Sequence, residues 1–140
     1  LNGQEVNGDC VVIGGGLVGA ETAEYLANKG HQVTIVEMMD KIAAGESTTV
    51  LPLMMKDFAD HHVKQLVNTK VDHIENNIVY TENDQIKADT IINALGSKKN
   101  IFDDSSITIP HVCVGDCSGE RTADIASAIR TAYHAANAID

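Results

Sequence analysis

Residues 11–19 read Val-Val-Ile-Gly-Gly-Gly-Leu-Val-Gly. The apolar run at their start, Cys10–Ile13, has the length and unbroken hydrophobicity of a strand buried on both faces. A helical pattern follows from Gly16 to Lys29. It places Ala20, Ala23, Leu26 and Ala27 on one stripe, and Gly30 supplies the stop. Three of the glycines have distinct physical tasks. Gly14 turns the chain sharply out of the strand, Gly16 lets a pyrophosphate approach the backbone, and Gly19 lets the helix pack close to the strand. The first turn of the helix then offers unpaired N–H groups and a partial positive charge to phosphates. A second apolar run, Gln32–Glu37, ends on an acid 18 residues after Gly19. A glycine-rich turn alone is common. One that follows a strand, opens a helix and precedes a second strand ending in an acid points to a dinucleotide site.

Further along, Asp40–Ser47 reads as a loop with Gly45 its loosest point. A second helical pattern runs from Thr48 to His61, and Pro52 is tolerable only in its first turn, so the helix starts near Leu51. Val63–Val67 is a third strand. The period then changes: Lys70–Glu75, Ile78–Thr81 and Gln85–Ala88 are short alternating segments separated by Asn76-Asn77 and Asn83-Asp84, the pattern of an antiparallel meander. Thr90–Leu95 returns to a parallel-type strand ending at Gly96, Ser97–Pro110 is a polar connector, and Val112–Val114 is a short strand before Gly115-Asp116. The last helix carries Ile125, Ala128, Ile129, Ala132, Ala136 and Ile139 on one face. The expected fold class is α/β, a Rossmann-like parallel sheet in the order 3-2-1-4-5 with helices on its faces. The 112–114 strand is outermost and the meander covers one face.

The 140 residues carry a formal net charge of −10, which repels nucleic-acid backbones and anionic membranes. Tryptophan is absent and aromatics are 4%, so there is no stacking platform for single strands. No apolar stretch approaches a membrane span and no secretory signal is present, which points to the cytoplasm. The start on Leu1 suggests an excised part of a longer chain. Cys10, Cys113 and Cys117 form neither a zinc pattern nor a disulfide framework. They read as buried or half-buried free thiols, with Cys117 the better candidate for a redox role. His61 and His62 are adjacent, so on a helix they cannot share a metal. His31, His73, His111 and His134 have no acid–base partner at readable spacing. No metal ligand and no catalytic residue is assigned.

The glycine turn Gly14–Gly19, the acid Glu37, the meander, Ala94-Leu95-Gly96 and Val114-Gly115-Asp116 before a terminal helix together resemble the two-dinucleotide-binding flavoprotein reductases. The stretch Asp124–Ile139 is most similar to the C-terminal region of the NADH:flavin oxidoreductases related to 2,4-dienoyl-CoA reductase and 2-enoate reductase. The resemblance covers nearly the whole chain. It implies that residues 6–97 are an NAD(H)-binding Rossmann-like domain and that residues 98–140 are the returning strand and helix of an FAD-binding domain. It further implies that the remaining domains of a parent flavoenzyme are partners, and that NADH is placed for hydride transfer to FAD. Electrons then pass on to an activated alkene of the enoate or enoyl-CoA type. This part alone is not expected to be catalytically complete.

The candidate cofactor-binding residues follow. The turn supplies Gly14, Gly15, Gly16, Leu17, Val18 and Gly19. Glu37 accepts the adenine-ribose hydroxyls and repels a 2′-phosphate, so NADH is favoured over NADPH, and Met38 follows it with no arginine nearby. The bland alternative for Glu37 is a solvated strand-end acid. By the resemblance Glu21 approaches the nicotinamide; otherwise it is a favourable charge near a helix N-terminus. Leu95 and Gly96 sit at a strand's carboxyl edge, where ligands of open α/β sheets lie, and Val71 at the entry to the meander is placed with them. Gly115 and Asp116 resemble the flavin motif whose Asp bonds the ribityl chain; the alternative is a capping acid. Asp124 stabilises the start of the last helix. Two other readings stay open: a non-catalytic module binding ADP or NAD, and a free-standing small FAD-binding domain.

Overall fold

The structure is a computed structural model that describes residues 4–44, 49–96, 103–118 and 125–139. The chain divides into two compact units, Leu1–Gly96 and Ser97–Asp140.

The first unit runs β1 (Cys10–Ile13), α1 (Leu17–Asn28), β2 (Val33–Val36), α2 (Leu51–Asp60), β3 (Lys64–Leu66), β4 (Val71–Glu75), β5 (Ile78–Thr81), β6 (Gln85–Lys87) and β7 (Thr90–Asn93). Four parallel strands lie in the order β3-β2-β1-β7, with β4-β5-β6 a separate antiparallel sheet. This is the expected α/β Rossmann-like class. Central β1 pairs Cys10 with Val33 and Thr90, and Ile13 with Val36 and Asn93.

Alternation along β1 splits the core in two. Cys10 and Val12 face a cluster with Ala20, Ala23, Leu26, Met54 and Phe58, and so face both helices. Val11 and Ile13 face Val36, Val79 and Ala88, with Ile86 packed against them, and so face the meander. The meander covers one face, as expected. The helices do not take both faces: α1 and α2 share one. The reason is directional. The steps β1 to β2 and β2 to β3 go the same way across the sheet, so crossovers of one hand land on the same side. The step back to β7, which returns past β1, carries the meander.

Two glycines set how closely α1 sits on β1. Gly14 has φ +98°, and a Cβ there would lie 2.6 Å from the Ala94 carbonyl oxygen. A Cβ on Gly19 would overlap the carbonyl oxygen of Gly14 itself. At the other end of α1, the His31 N–H donates to the Leu26 carbonyl and the Gly30 N–H to that of Ala27, the wrap that stops a helix at a left-handed glycine. Asn76 and Asn77, at φ +49° and +62°, make the first meander turn. α2 begins at Leu51, with Pro52 in its first turn.

Among the described residues the second unit contains the 3-10 turn Gly115–Cys117 and α3 (Ile125–Asn137). The Gly115 N–H donates to Thr131 Oγ1 at 2.8 Å, joining turn to helix. Two expectations are corrected here. Val112–Val114 is not a strand, so among the described residues the parallel sheet has four members and lacks the expected outermost one. A three-residue run needs a neighbour to supply its hydrogen bonds, and no strand is described in this unit for it to pair with. Ile125 and Ile129 share one face of α3, as their spacing implies, and are 79% and 65% exposed; Ile139, beyond the helix, is 77% exposed, and Ser127 is the helix's buried residue. Cys113 is exposed rather than half-buried, Cys117 is half-buried and Cys10 is buried, and none of the three is in a disulfide. Gly45 and Asp124 lie outside the described residues. Among the described residues no helix is long and apolar enough to cross a membrane.

Candidate dinucleotide site

Strand order reverses at β1, which has β2 on one side and β7 on the other. At such a reversal the chain leaves neighbouring strands in opposite directions, and a crevice opens beyond their carboxyl ends. A groove of about 620 Å³ lies there. Its walls are Ile13 and Gly14 from β1, Val36 to Met39 from β2 and beyond, Asn93 to Gly96 from β7, and Thr69 to Ile74 from the approach and body of β4. The volume suits a small-molecule ligand.

Gly16 lines the groove and is the N-cap of α1, with no side chain capping the helix. A Cβ built on it would meet nothing within 4 Å. The first-turn N–H groups of α1, which have no intrahelical acceptor, are therefore approachable by an anion.

Glu37 is 8% exposed, so it is not a solvated strand-end acid. Its Oε2 accepts the Gly15 N–H at 2.6 Å and its Oε1 accepts the Met39 N–H at 2.7 Å. Its backbone is tied to the third strand: the N–H donates to the Leu66 carbonyl at 2.8 Å, and the carbonyl accepts from Thr69 N–H at 2.9 Å.

Of the expected residues, the groove brings together Gly14, Gly16, Glu37, Met38, Val71, Leu95 and Gly96. Gly15 and Gly19 are buried and do not line it, while Leu17 and Val18 are exposed on the first turn of α1. Glu21 is exposed and does not line the groove. Gly115 and Asp116 belong to the second unit. Sequence reading missed Met39, Thr69, Lys70, Asp72 and His73. They arrive because the Asn68 N–H donates to the Met39 carbonyl at 2.8 Å, which folds the β3–β4 link against the end of β2. The one local signal was the polar run Asn68-Thr69-Lys70, with Asn68 at φ +50°. His73 stacks on Tyr80 with ring centroids 4.4 Å apart. Among the described residues no group of three His, Cys, Asp or Glu side chains could hold a metal. Cys10, behind the sheet, is no nucleophile: burial pushes its thiol up, and Asp9 and Asp89 add to the effect.

The family model for pyridine nucleotide-disulphide oxidoreductases matches residues 1–111. The chain belongs to this family. It is 46% identical over 147 residues to a bilirubin reductase of Mediterraneibacter gnavus (strain CC55_001C), a match covering 99% of this chain and 23% of that protein. It is 30% identical over 141 residues to a cinnamate reductase of Clostridium sporogenes, covering 92% of this chain and 21% of that one. The chain thus spans less than a quarter of the length of these curated relatives. In fold it is similar to a 2-naphthoyl-CoA reductase solved with 2-naphthoyl-CoA, with a TM-score of 0.73 at 24% identity, over 99% of this chain and 22% of that one. Membership of this family of oxidoreductases implies NAD(H) and FAD as cofactors. The uncapped, unobstructed glycine turn beside a buried acid fits a dinucleotide.

Proposed function

We propose that the first unit binds NAD(H) within a larger flavin-dependent oxidoreductase related to the enoate and dienoyl-CoA reductases. The observation that carries this is the convergence on one groove of the open Gly16 turn and the Glu37 carboxylate. Gly14 to Gly19 and the first turn of α1 hold the pyrophosphate. Glu37 accepts the adenine-ribose hydroxyls. Met38, Val71, Leu95 and Gly96 form the walls, and Glu21 stands outside them. Bound NADH supplies a hydride; the protein supplies placement and needs no acid–base residue of its own.

Residues 98–140 are read as the returning part of an FAD domain, with Gly115 and Asp116 turned to the flavin. The acceptor of the whole enzyme is read as an activated alkene, supported by the relatives named for bilirubin and cinnamate reduction. The free thiols of Cys10 and Cys113 suit a reducing cytoplasm. Calorimetry with NADH, NADPH and ADP tests the binding. NADH is expected to bind more tightly than either, and Glu37→Ala to weaken NADH and narrow its lead over NADPH. Equal affinities for NADH and ADP would show that the nicotinamide half is not read.

A further inference from the structure

We infer that Glu37 is a positioning residue for the diphosphate, in addition to any contact it makes with the ribose. It holds the glycine turn in its anion-binding shape before a ligand arrives. This rests on the nucleotide reading above and adds to it.

Gly15 is gripped on both sides by the segment after β2. Its N–H donates to Glu37 Oε2 at 2.6 Å, and its carbonyl accepts the Ala43 N–H at 2.7 Å. The side chain packs on it as well: a Cβ on Gly15 would stand 3.0 Å from Glu37 Cβ and 2.5 Å from Ile42 Cδ1. Glu37 is itself fixed by Met39, Leu66 and Thr69 through the bonds described above. An ionised carboxylate has about four acceptor positions, and the two amides take two of them. The others remain for sugar hydroxyls. One side chain therefore links the ribose end of the groove to the phosphate turn. A 2′-phosphate is opposed twice over, because turning the carboxylate aside would leave the buried Gly15 N–H without its acceptor.

The experiment separates reach from charge. Glu37→Asp keeps the charge but draws the carboxylate back by about 1.5 Å, the length of one C–C bond, which is beyond reach of Gly15 N–H. Glu37→Gln keeps the length and one acceptor but loses the charge. The probe is 2′,3′-dideoxy-ADP, which has the diphosphate and lacks both hydroxyls, with ADP alongside, each titrated calorimetrically into the whole protein. Positioning predicts that Glu37→Asp binds dideoxy-ADP roughly tenfold more weakly, and that Glu37→Gln, which can still accept from the Gly15 N–H but sets its NH2 against the Met39 N–H, falls between that variant and the wild type. An acid that only reads hydroxyls leaves dideoxy-ADP unchanged in the Asp variant, and that result overturns the inference. So does a change in Gln without one in Asp, which is the signature of charge alone.

Amide hydrogen exchange on the unsubstituted protein gives a second readout that needs no variant to fold. The Gly15 amide must exchange more slowly than those of Leu17 and Val18; equal exchange refutes the clamp. Failure of the wild type to bind ADP at all would instead overturn the nucleotide reading.

Discussion

Replacing Gly16 and Gly19 separately by alanine should separate ligand binding from folding, although the two lie on one turn. At Gly19 the new methyl overlaps the Gly14 carbonyl oxygen and comes 3.3 Å from Ala94 Cβ. Neither neighbour is the free end of a flexible side chain, so α1 has to lift from β1. Overpacking of this kind costs about 1–3 kcal/mol. Alanine's better helix propensity returns up to about 1 kcal/mol. The net loss is about 1–2 kcal/mol, which at a urea dependence of about 1–2 kcal/mol/M lowers the unfolding midpoint by roughly 1 M. At Gly16 the backbone is at φ −64° and ψ −179°, which any residue adopts, and the methyl meets nothing within 4 Å. Stability should change by no more than about 1 kcal/mol. The methyl does stand in the groove, between a diphosphate and the amides of α1. Lengthening one or two charge-assisted hydrogen bonds there weakens NADH about tenfold or more. Urea unfolding followed by circular dichroism and calorimetry with NADH read the two effects. A Gly16→Ala protein that binds NADH like the wild type would refute the assignment of the groove. An unshifted midpoint in Gly19→Ala would refute the close approach of helix and strand.

Other outcomes follow from the packing and the titrating groups. Val79 is fully buried where the meander meets the sheet, so Val79→Ala should cost about 2 kcal/mol and speed amide exchange across β4–β6 before it does so in β1. In the second unit His111 Nε2 and Asp104 Oδ2 are 2.9 Å apart, and this bond raises the imidazole above its ordinary 6.5 and lowers the carboxyl below its ordinary 3.8. The pair's contribution is therefore greatest between those two ordinary values. It is lost as pH rises through the His111 value and as pH falls through that of Asp104. Both groups are exposed, so the proper measurement is an NMR titration: His111 should titrate above 6.5, and Asp104→Asn should move it back toward that value, the Ile109 carbonyl still holding it up in part. Iodoacetamide should modify exposed Cys113 well before Cys10, a residue 1% exposed whose thiol is pushed up by burial; early labelling of Cys10 would contradict its place in the core.

What was legible in the sequence is what depends on neighbours along the chain. The β1–turn–α1–β2 unit, the stop at Gly30, the start of α2 near Pro52 and the Asn76-Asn77 turn all follow from periodicity and from backbone sterics that a few consecutive residues impose. The acid at Glu37 was visible for the same reason, since it closes a short apolar run at a fixed distance from the glycines. Tertiary structure decided what depends on direction and on partners. Only the strand order puts α1 and α2 on one face, because the side on which a crossover lands is set by the sense of the step across the sheet. Only the fold brings Thr69 to His73 into the groove, more than 30 residues after the acid they adjoin. Val112–Val114 had the right local pattern and still formed no strand, since its hydrogen bonds need a neighbour that a pattern does not supply. The two amides that grip Glu37 are likewise invisible in one dimension: a side chain's charge can be read from its letter, but its hydrogen-bond partners are chosen by what the folded backbone brings within 3 Å of it.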